Sequence, residues 1–276
     1  NSKAYTEFFL ALSWLGAVLV PLNIRHAAPE LRFIIEDAGA RACFSCSKMA
    51  SLAEAALDGN ETVELKILHG ATRAGWTDFN ALTGPANPML EMESSVSGES
   101  LFMLLYTSGT TGNPKGALMA QRTLLGNLSG FSCSHDFFPQ PGDLFWSPAD
   151  WAWTGGLMDA LLPTLYHGQP IVGYRGRFDP ERAFALIEKY GVRNAFLFPT
   201  ALKMMMKAFP RPRERFEVPL RSIMSAGESV GSTVFEWARD ALGVTINEMF
   251  GQTEMNYIVG NSHELWPAKP GSMGRP

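Results

Sequence analysis

Apolar positions along the chain recur at two periods, and the switches between them divide the sequence into elements. Residues 5–20 are apolar at helical spacing and predict a largely buried helix. Residues 29–38 predict a second helix, with Pro29 in its first turn and Gly39 closing it. Short apolar runs at 41–46 and 63–68 predict strands, and LFMLLY at 101–106 predicts a buried one. Between them, 83–99 is polar and marked by Pro and Gly, a connector that places a subdomain boundary at 98/99. The chain is therefore expected to comprise a first α/β subdomain, 1–98, and a second, 99–276. A strand over 117–119 and a helix over 122–130 open the rest of the second.

Beyond an aromatic loop at 147–156 and an apolar segment at 157–166, the alternation becomes regular. Asp179 caps and Pro180 begins a helix that Gly191 ends, with Ala183, Phe184, Leu186 and Ile187 as its apolar stripe. A strand (194–199), a helix (200–208), a strand (222–225), a helix (232–242) and a strand (244–248) follow. Such alternation implies an α/β fold of mostly parallel sheets flanked by helices in layered subdomains.

A chain of 276 residues, 46% of them hydrophobic, can bury a large core and is globular. The net charge of -4, with scattered basic residues, argues against a nucleic-acid partner. The most apolar N-terminal stretch, 8–22, is broken by Ser13, Gly16 and Pro21, so no membrane span is expected, and it lacks the marks of a secretory leader. A cytoplasmic location is the simplest expectation. Three cysteines make a poor disulfide framework and fit a reducing compartment. Cys43 and Cys46 form a C-x-x-C without a second pair at zinc-like spacing, and Cys133 near His135 is the other candidate. Small core residues are favoured over a metal or redox site.

Candidate chemistry concentrates in YTSGTTGNPKG, residues 106–116. Gly109, Gly112 and Gly116 let main chain approach an anion, Thr107, Ser108, Thr110 and Thr111 supply donors, and Lys115 adds a positive charge. Such a loop suits a polyphosphate. Its spacing fits neither the P-loop nor G-x-G-x-x-G. Two further turns follow predicted strands. SAGES (225–229) places Gly227 where main chain could lie against a flat ring, and FGQTE (250–254) offers the Thr253 hydroxyl to a phosphoryl oxygen and the Glu254 carboxylate to Mg2+. Each is weak alone. The βα pattern predicts that all three lie along one sheet edge.

In this order the three motifs resemble the signatures of the AMP-forming acyl-CoA synthetases, a branch of the adenylate-forming enzymes, over the whole chain. GAVLVPLNIRHAAPELRFIIEDAGAR (16–41) looks like an early part of that family's large domain, and ADWAWTGG (149–156) like the acyl-pocket loop of its acetyl- and medium-chain branch. Asp150 and Trp153 stand at matching positions of that loop, and Gln252 points to the same branch. The resemblance implies ATP-dependent activation of a carboxylic acid, with a short- or medium-chain fatty acid expected, to acyl-adenylate and pyrophosphate, followed by displacement of AMP by CoA. ATP, Mg2+ and CoA are the implied cofactors, and a small-molecule carboxylic acid the implied partner. By the same resemblance Thr107, Ser108, Gly109, Thr110, Thr111, Gly112 and Lys115 hold phosphates, while Gly227, Glu228 and Ser229 flank the adenine. Phe250, Gly251, Gln252 and Thr253 complete the nucleotide site, Lys115, Thr253 and Glu254 are catalytic, and Glu254 binds the metal.

Acetyl-activating relatives carry Trp where this chain has Gly251, so an acid longer than acetate is expected, in a pocket lined by Trp151, Trp153 and Gly251. Each extra buried methylene adds roughly 0.8 kcal/mol. Alternatively Gly251 makes a tight turn and Trp151 or Trp153 fills that space. The chain departs from the family pattern with Phe250 for tyrosine, Gln121 for histidine, and Met255 and Asn256 for Thr-Gly. GSMGRP (271–276) precedes the ribose-binding aspartate motif, the hinge and the small C-terminal domain with the family's catalytic lysine, so the chain is expected to be part of a larger synthetase. Rival readings are a nucleotide- or acyl-binding remnant without turnover, an ATP-hydrolysing switch, and adenylation of an aryl or amino acid for a carrier protein.

Overall fold

A computed structural model describes residues 1–83, 95–107 and 113–276. Most of the expected connector, and Ser108, Gly109, Thr110, Thr111 and Gly112 of the phosphate motif, lie outside the described residues. The chain forms two compact units, Ala4–Gln121, and Arg122–Pro276 together with Asn1–Lys3.

The first unit begins with α1 (Lys3–Trp14) and α2 (Ala28–Asp37). The predicted helix over 5–20 is cut short: Gly16 turns the chain at φ 70°, and Leu19 then makes a parallel bridge to Met103. A glycine in the left-handed region ends a helix at little cost, and main-chain pairing claims the residues beyond it. At α2 the Ala27 N–H donates to the Glu30 carboxylate at 2.8 Å, which satisfies a free donor at the helix start. Strand β1 (Ala42–Cys46), helix α3 (Ala50–Leu57), strands β2 (Leu65–His69) and β3 (Thr77–Asp78) and the short α4 (Phe79–Leu82) complete a three-stranded parallel sheet in the order β1-β2-β3. Leu31 and Ile35 of α2 pack with Ala56, Leu57 and Val63 as its core.

Strands β4 (Leu101–Thr107) and β5 (Lys115–Ala120) pair antiparallel as a separate two-stranded sheet, with Thr107 opposite Lys115. The described ends of the phosphate motif therefore belong to an antiparallel pair in a sheet separate from the six-stranded one, which corrects the expectation of one sheet edge for all three motifs. Leu19 N–H donates to Phe102 O at 2.9 Å and Leu104 N–H to Leu19 O at 2.8 Å, tying this pair to the N-terminal segment. For that reason the compact units divide at Gln121/Arg122, beyond the pair, whereas the sequence marks 98/99.

The second unit is built on a six-stranded sheet. Its elements are α5 (Thr123–Ser134), β6 (Phe145–Trp146), α6 (Thr154–Gly156), a π-helical turn (Leu157–Leu161), α7 (Leu162–Tyr166), β7 (Ile171–Val172), α8 (Pro180–Tyr190), β8 (Asn194–Phe196), α9 (Pro199–Ala208), β9 (Ser222–Ser225), α10 (Ser232–Trp237), β10 (Ile246–Gln252) and β11 (Asn256–Gly260). The strand order is β11-β10-β9-β8-β6-β7, parallel throughout except for β11 at the edge. This mixed α/β architecture is the one the alternating pattern predicts.

Successive strand residues serve opposite faces. Trp146, Ala195 and Ile223 join Phe184, Leu202 and Phe235 in one core, whereas Phe145, Phe196 and Met224 join Phe131 and Ala160 in the other. Burying each large side chain contributes roughly 1.5–3 kcal/mol. Helix α8 forms as predicted, with the Asp179 carboxylate accepting from Arg182 N–H at 2.9 Å and Gly191 closing it at φ 65°. Strand β10 outruns its predicted end at Glu248, because β11 extends the ladder as far as the Gln252–Asn256 pair. FGQTE thus leads into a hairpin where a βα turn was expected.

Candidate active site

Strands β6, β8, β9 and β10 run parallel, so their carboxyl ends open on one edge of the sheet. Four connections leave that edge: the aromatic loop after β6, the entry to α9 after β8, the 226–231 loop after β9 and the 253–255 turn after β10. Main-chain and side-chain bonds fix their starts. Ser225 Oγ donates to Leu197 O at 2.7 Å, joining the ends of β9 and β8. Glu248 Oε1 accepts from Val230 N–H at 3.1 Å, which holds the far end of the 226–231 loop against β10. Burial raises the pKa of the Glu248 carboxyl, and this bond opposes the rise.

Within this unit the expected site residues approach one another. Gly227 sits at φ 93°, a conformation that favours glycine, and the Trp153 ring lies 3.9 Å from the point a Cβ there would occupy. Glu228 accepts from Thr200 Oγ1 through both carboxylate oxygens, at 3.0 and 2.9 Å. Thr253 Oγ1 lies 3.1 Å from Thr154 Oγ1. A continuous series of neighbours, Thr253, Thr154, Trp153, Gly227, Glu228 and Thr200, therefore lines the edge. Gly227, Glu228, Ser229, Gln252 and Glu254 are exposed there, as is the Phe250 ring in part.

The two tryptophans expected in an acyl pocket differ. Trp151 is 5% exposed, packs its ring against Gly173 and donates its main-chain N–H to Asn1 Oδ1 at 2.8 Å, so it props the loop from below. Trp153, 47% exposed, presents its ring to solvent at the edge. Gly251 fits the tight-turn alternative and not an opened pocket. The β10–β11 register shifts between Phe250 and Gly251, and a Cβ at 251 would fall 1.9 Å from Asn256 O. The facing backbone fills that space, so glycine here serves the hairpin.

In the first unit, Thr107 and exposed Lys115 stand opposite each other at the base of the phosphate motif. Tyr106, one residue earlier, packs its ring beside Gly116 and donates its hydroxyl to Asp37 Oδ2 at 2.6 Å. Burial first, then that bond and the Asp37 charge, push the phenol's pKa up. Burial pushes the Cys43 thiol up to about 11, and Cys46, three residues along the same strand, faces away from it. Neither is disulfide-bonded.

Among the described residues no cluster of three or more His, Cys, Asp or Glu side chains could cage a metal. A single exposed carboxylate such as Glu254 suits Mg2+, which takes most of its ligands from water and substrate phosphates. No helix among the described residues is long and apolar enough to cross a membrane.

Sequence reasoning passed over Thr154, Thr200, Asn127 and Asp159. Asp159 lies in the π-helical turn and is 4% exposed, its carboxyl pushed up to about 7 by burial against the opposing hydrogen bonds of Asn256 and Asn127. A lone acid inside the apolar run LMDALL was the available signal.

The model of the AMP-binding enzyme family matches residues 1–276. The 4-hydroxybutyrate–CoA ligase 1 of Metallosphaera sedula is 31% identical over 271 residues, 97% of this chain and 46% of that protein. The acetyl-coenzyme A synthetase of Pyrobaculum aerophilum is 34% identical over 209 residues, 70% of this chain and 30% of that protein. The crystal structure of a Brucella canis acyl-CoA synthetase superposes with a TM-score of 0.87 at 29% identity, covering 99% of this chain and 50% of the other. The chain thus spans half or less of the length of each of these three relatives. Matched along its whole length by that model, the chain belongs to the AMP-binding enzyme family.

Proposed function

We propose that the chain is the nucleotide- and acid-binding part of an ATP-dependent acid–thiol ligase. The observation that carries this reading is the series of neighbours along the carboxyl edge, from Thr253 through Trp153 to Glu228 and Thr200. Ligands of open α/β sheets bind at such edges. A substrate carboxylate oxygen attacks the α-phosphorus of ATP, the bond to the bridging oxygen breaks, and pyrophosphate leaves. A thiol, CoA in this reading, then attacks the acyl carbon and AMP departs.

The first step asks for alignment and charge neutralisation more than for covalent catalysis. Thr107, Lys115 and the motif between them hold the phosphates, Gly227 lays its main chain against the purine, and Glu228 and Ser229 flank it. The Thr253 hydroxyl donates to the α-phosphoryl oxygen. Glu254 is the ligand for Mg2+, which when bound neutralises phosphate charge. The exposed Trp153 ring supplies an apolar wall for the acyl chain, which supports a short- or medium-chain fatty acid. Two relatives are named for acids of two and four carbons, acetate and 4-hydroxybutyrate, which supports the short end of that range. The sparse, odd cysteine count and the proposed use of ATP and CoA support a cytoplasmic location.

ATP–pyrophosphate exchange with the full-length protein, across straight-chain acids of two to eight carbons and aromatic acids, tests this. Acid-dependent exchange with a maximum among the straight-chain acids is expected. Nucleotide binding without exchange for any acid would identify a remnant, and phosphate release without acid a hydrolysing switch.

A further inference from the structure

We propose that Asn127 and Asp159 are positioning residues that set the Thr253–Glu254 turn, acting through Asn256. Asn256 is the first residue of β11, directly after the turn, and its φ of 44° lies in the left-handed region that disfavours most side chains. Its Nδ2 donates to Asn127 Oδ1 at 2.5 Å and to Asp159 Oδ1 at 2.8 Å. Asn127 Nδ2 donates in turn to Met158 O at 2.6 Å, which joins α5 to the π-helical turn. All three polar side chains are buried, at 4%, 4% and 6% exposure for Asn127, Asp159 and Asn256.

A core does not need this set, since a leucine at 159 would continue the apolar run around it, and a buried carboxyl is costly to keep. What the set provides is a fixed hairpin end. The main-chain carbonyl of Asn256 rests over Gly251, while its side chain is gripped by two helical segments. Met255 N–H donates to Gln252 O at 3.2 Å and closes the turn, which leaves Thr253 and Glu254 at its tip. The same helical run meets the hairpin twice, through Thr154 at Thr253 and through Asp159 at Asn256. Two anchor points on one rigid body define the direction in which the tip presents its side chains.

The catalytic part of this inference rests on the proposed function, whereas its structural part does not. Amide hydrogen exchange is measured by mass spectrometry on the full-length protein and on Asp159→Leu, Asn127→Leu, Asn256→Gly and the conservative Asp159→Asn. The Leu and Gly variants are expected to exchange the 252–257 amides at least tenfold faster with the β8 and β9 amides unchanged, while Asp159→Asn, which keeps an oxygen facing Asn256, stays as the parent. In pyrophosphate exchange the same three variants should lose at least tenfold in kcat with KM for the acid within twofold. Uniform acceleration across the sheet, or unchanged exchange at 252–257, would overturn the positioning role. Should the leucine variants fail to fold, Asn256→Gly, which keeps the backbone conformation and removes only the grip, decides alone. A parent protein without pyrophosphate exchange would sink the proposed function and leave the amide result to judge the anchor.

Discussion

Lys115 and Glu254 are both exposed and on elements whose packing does not depend on them, so their removal separates chemistry from folding. Lys115→Ala and Glu254→Gln are each expected to lower the rate of pyrophosphate exchange by about 100-fold or more, the scale of losing one charge-stabilising group. Their melting temperatures should stay within about 2 °C of the parent, as is usual for surface substitutions. Normal exchange in either variant would remove that residue from the site. Gly251 makes the opposite prediction. With Asn256 O at 1.9 Å from the missing Cβ, Gly251→Ala forces the hairpin apart and should cost about 1–3 kcal/mol in urea unfolding. At this scale the motif residues stand out in the sequence because residue type alone suggests their chemistry. The Asn127, Asp159 and Asn256 set was not readable as a set: its members are 32 and 97 residues apart, and only the fold makes them neighbours.

At the scale of elements, what the sequence showed depended on how local the cause is. Helix α8 carries its own start and stop, Asp179 bonding to Arg182 N–H and Gly191 in the left-handed region, and both were legible. Asp179→Ala should therefore cost about 1 kcal/mol, read by denaturant unfolding, whereas a value near zero would mean that tertiary packing alone holds this end. The end of α1 was misread because the competitor for residues 15–20 is the distant pairing of Leu19 with Met103. For the same reason the apolar pattern ends β10 at Glu248: its extension requires β11, and an edge ladder leaves little trace in the apolar pattern of either strand. The antiparallel pairing of β4 with β5 is hidden likewise, since LFMLLY is as apolar as a central parallel strand.

For the molecule as a whole, the buried titratable groups set how stability follows pH, and two of them act in opposite directions. Burial, aided by the Arg221 charge, lowers His135 to about 3, so its neutral form is favoured on folding and the associated stability is lost as pH falls from 6.5 towards 3. Asp159, raised to about 7, favours folding in its protonated form, and that stability is lost as pH rises from about 4 through 7. The titratable group facing Asp159 is the Tyr257 phenol, which burial and the Asp159 charge hold well above its ordinary value, so it stays neutral across the window. His135 is unchanged in Asp159→Asn, so subtracting the parent's unfolding free energy from the variant's isolates position 159. The difference should be smallest near pH 4, increase up to about pH 7.5, and level off, with a total change on the order of a few kcal/mol. A flat difference would mean that Asp159 folds as the ionised carboxylate, held by Asn127 and Asn256 strongly enough to offset its burial. The anchor would then be an anion held by two amides, and Asp159→Asn would no longer serve as its conservative substitute.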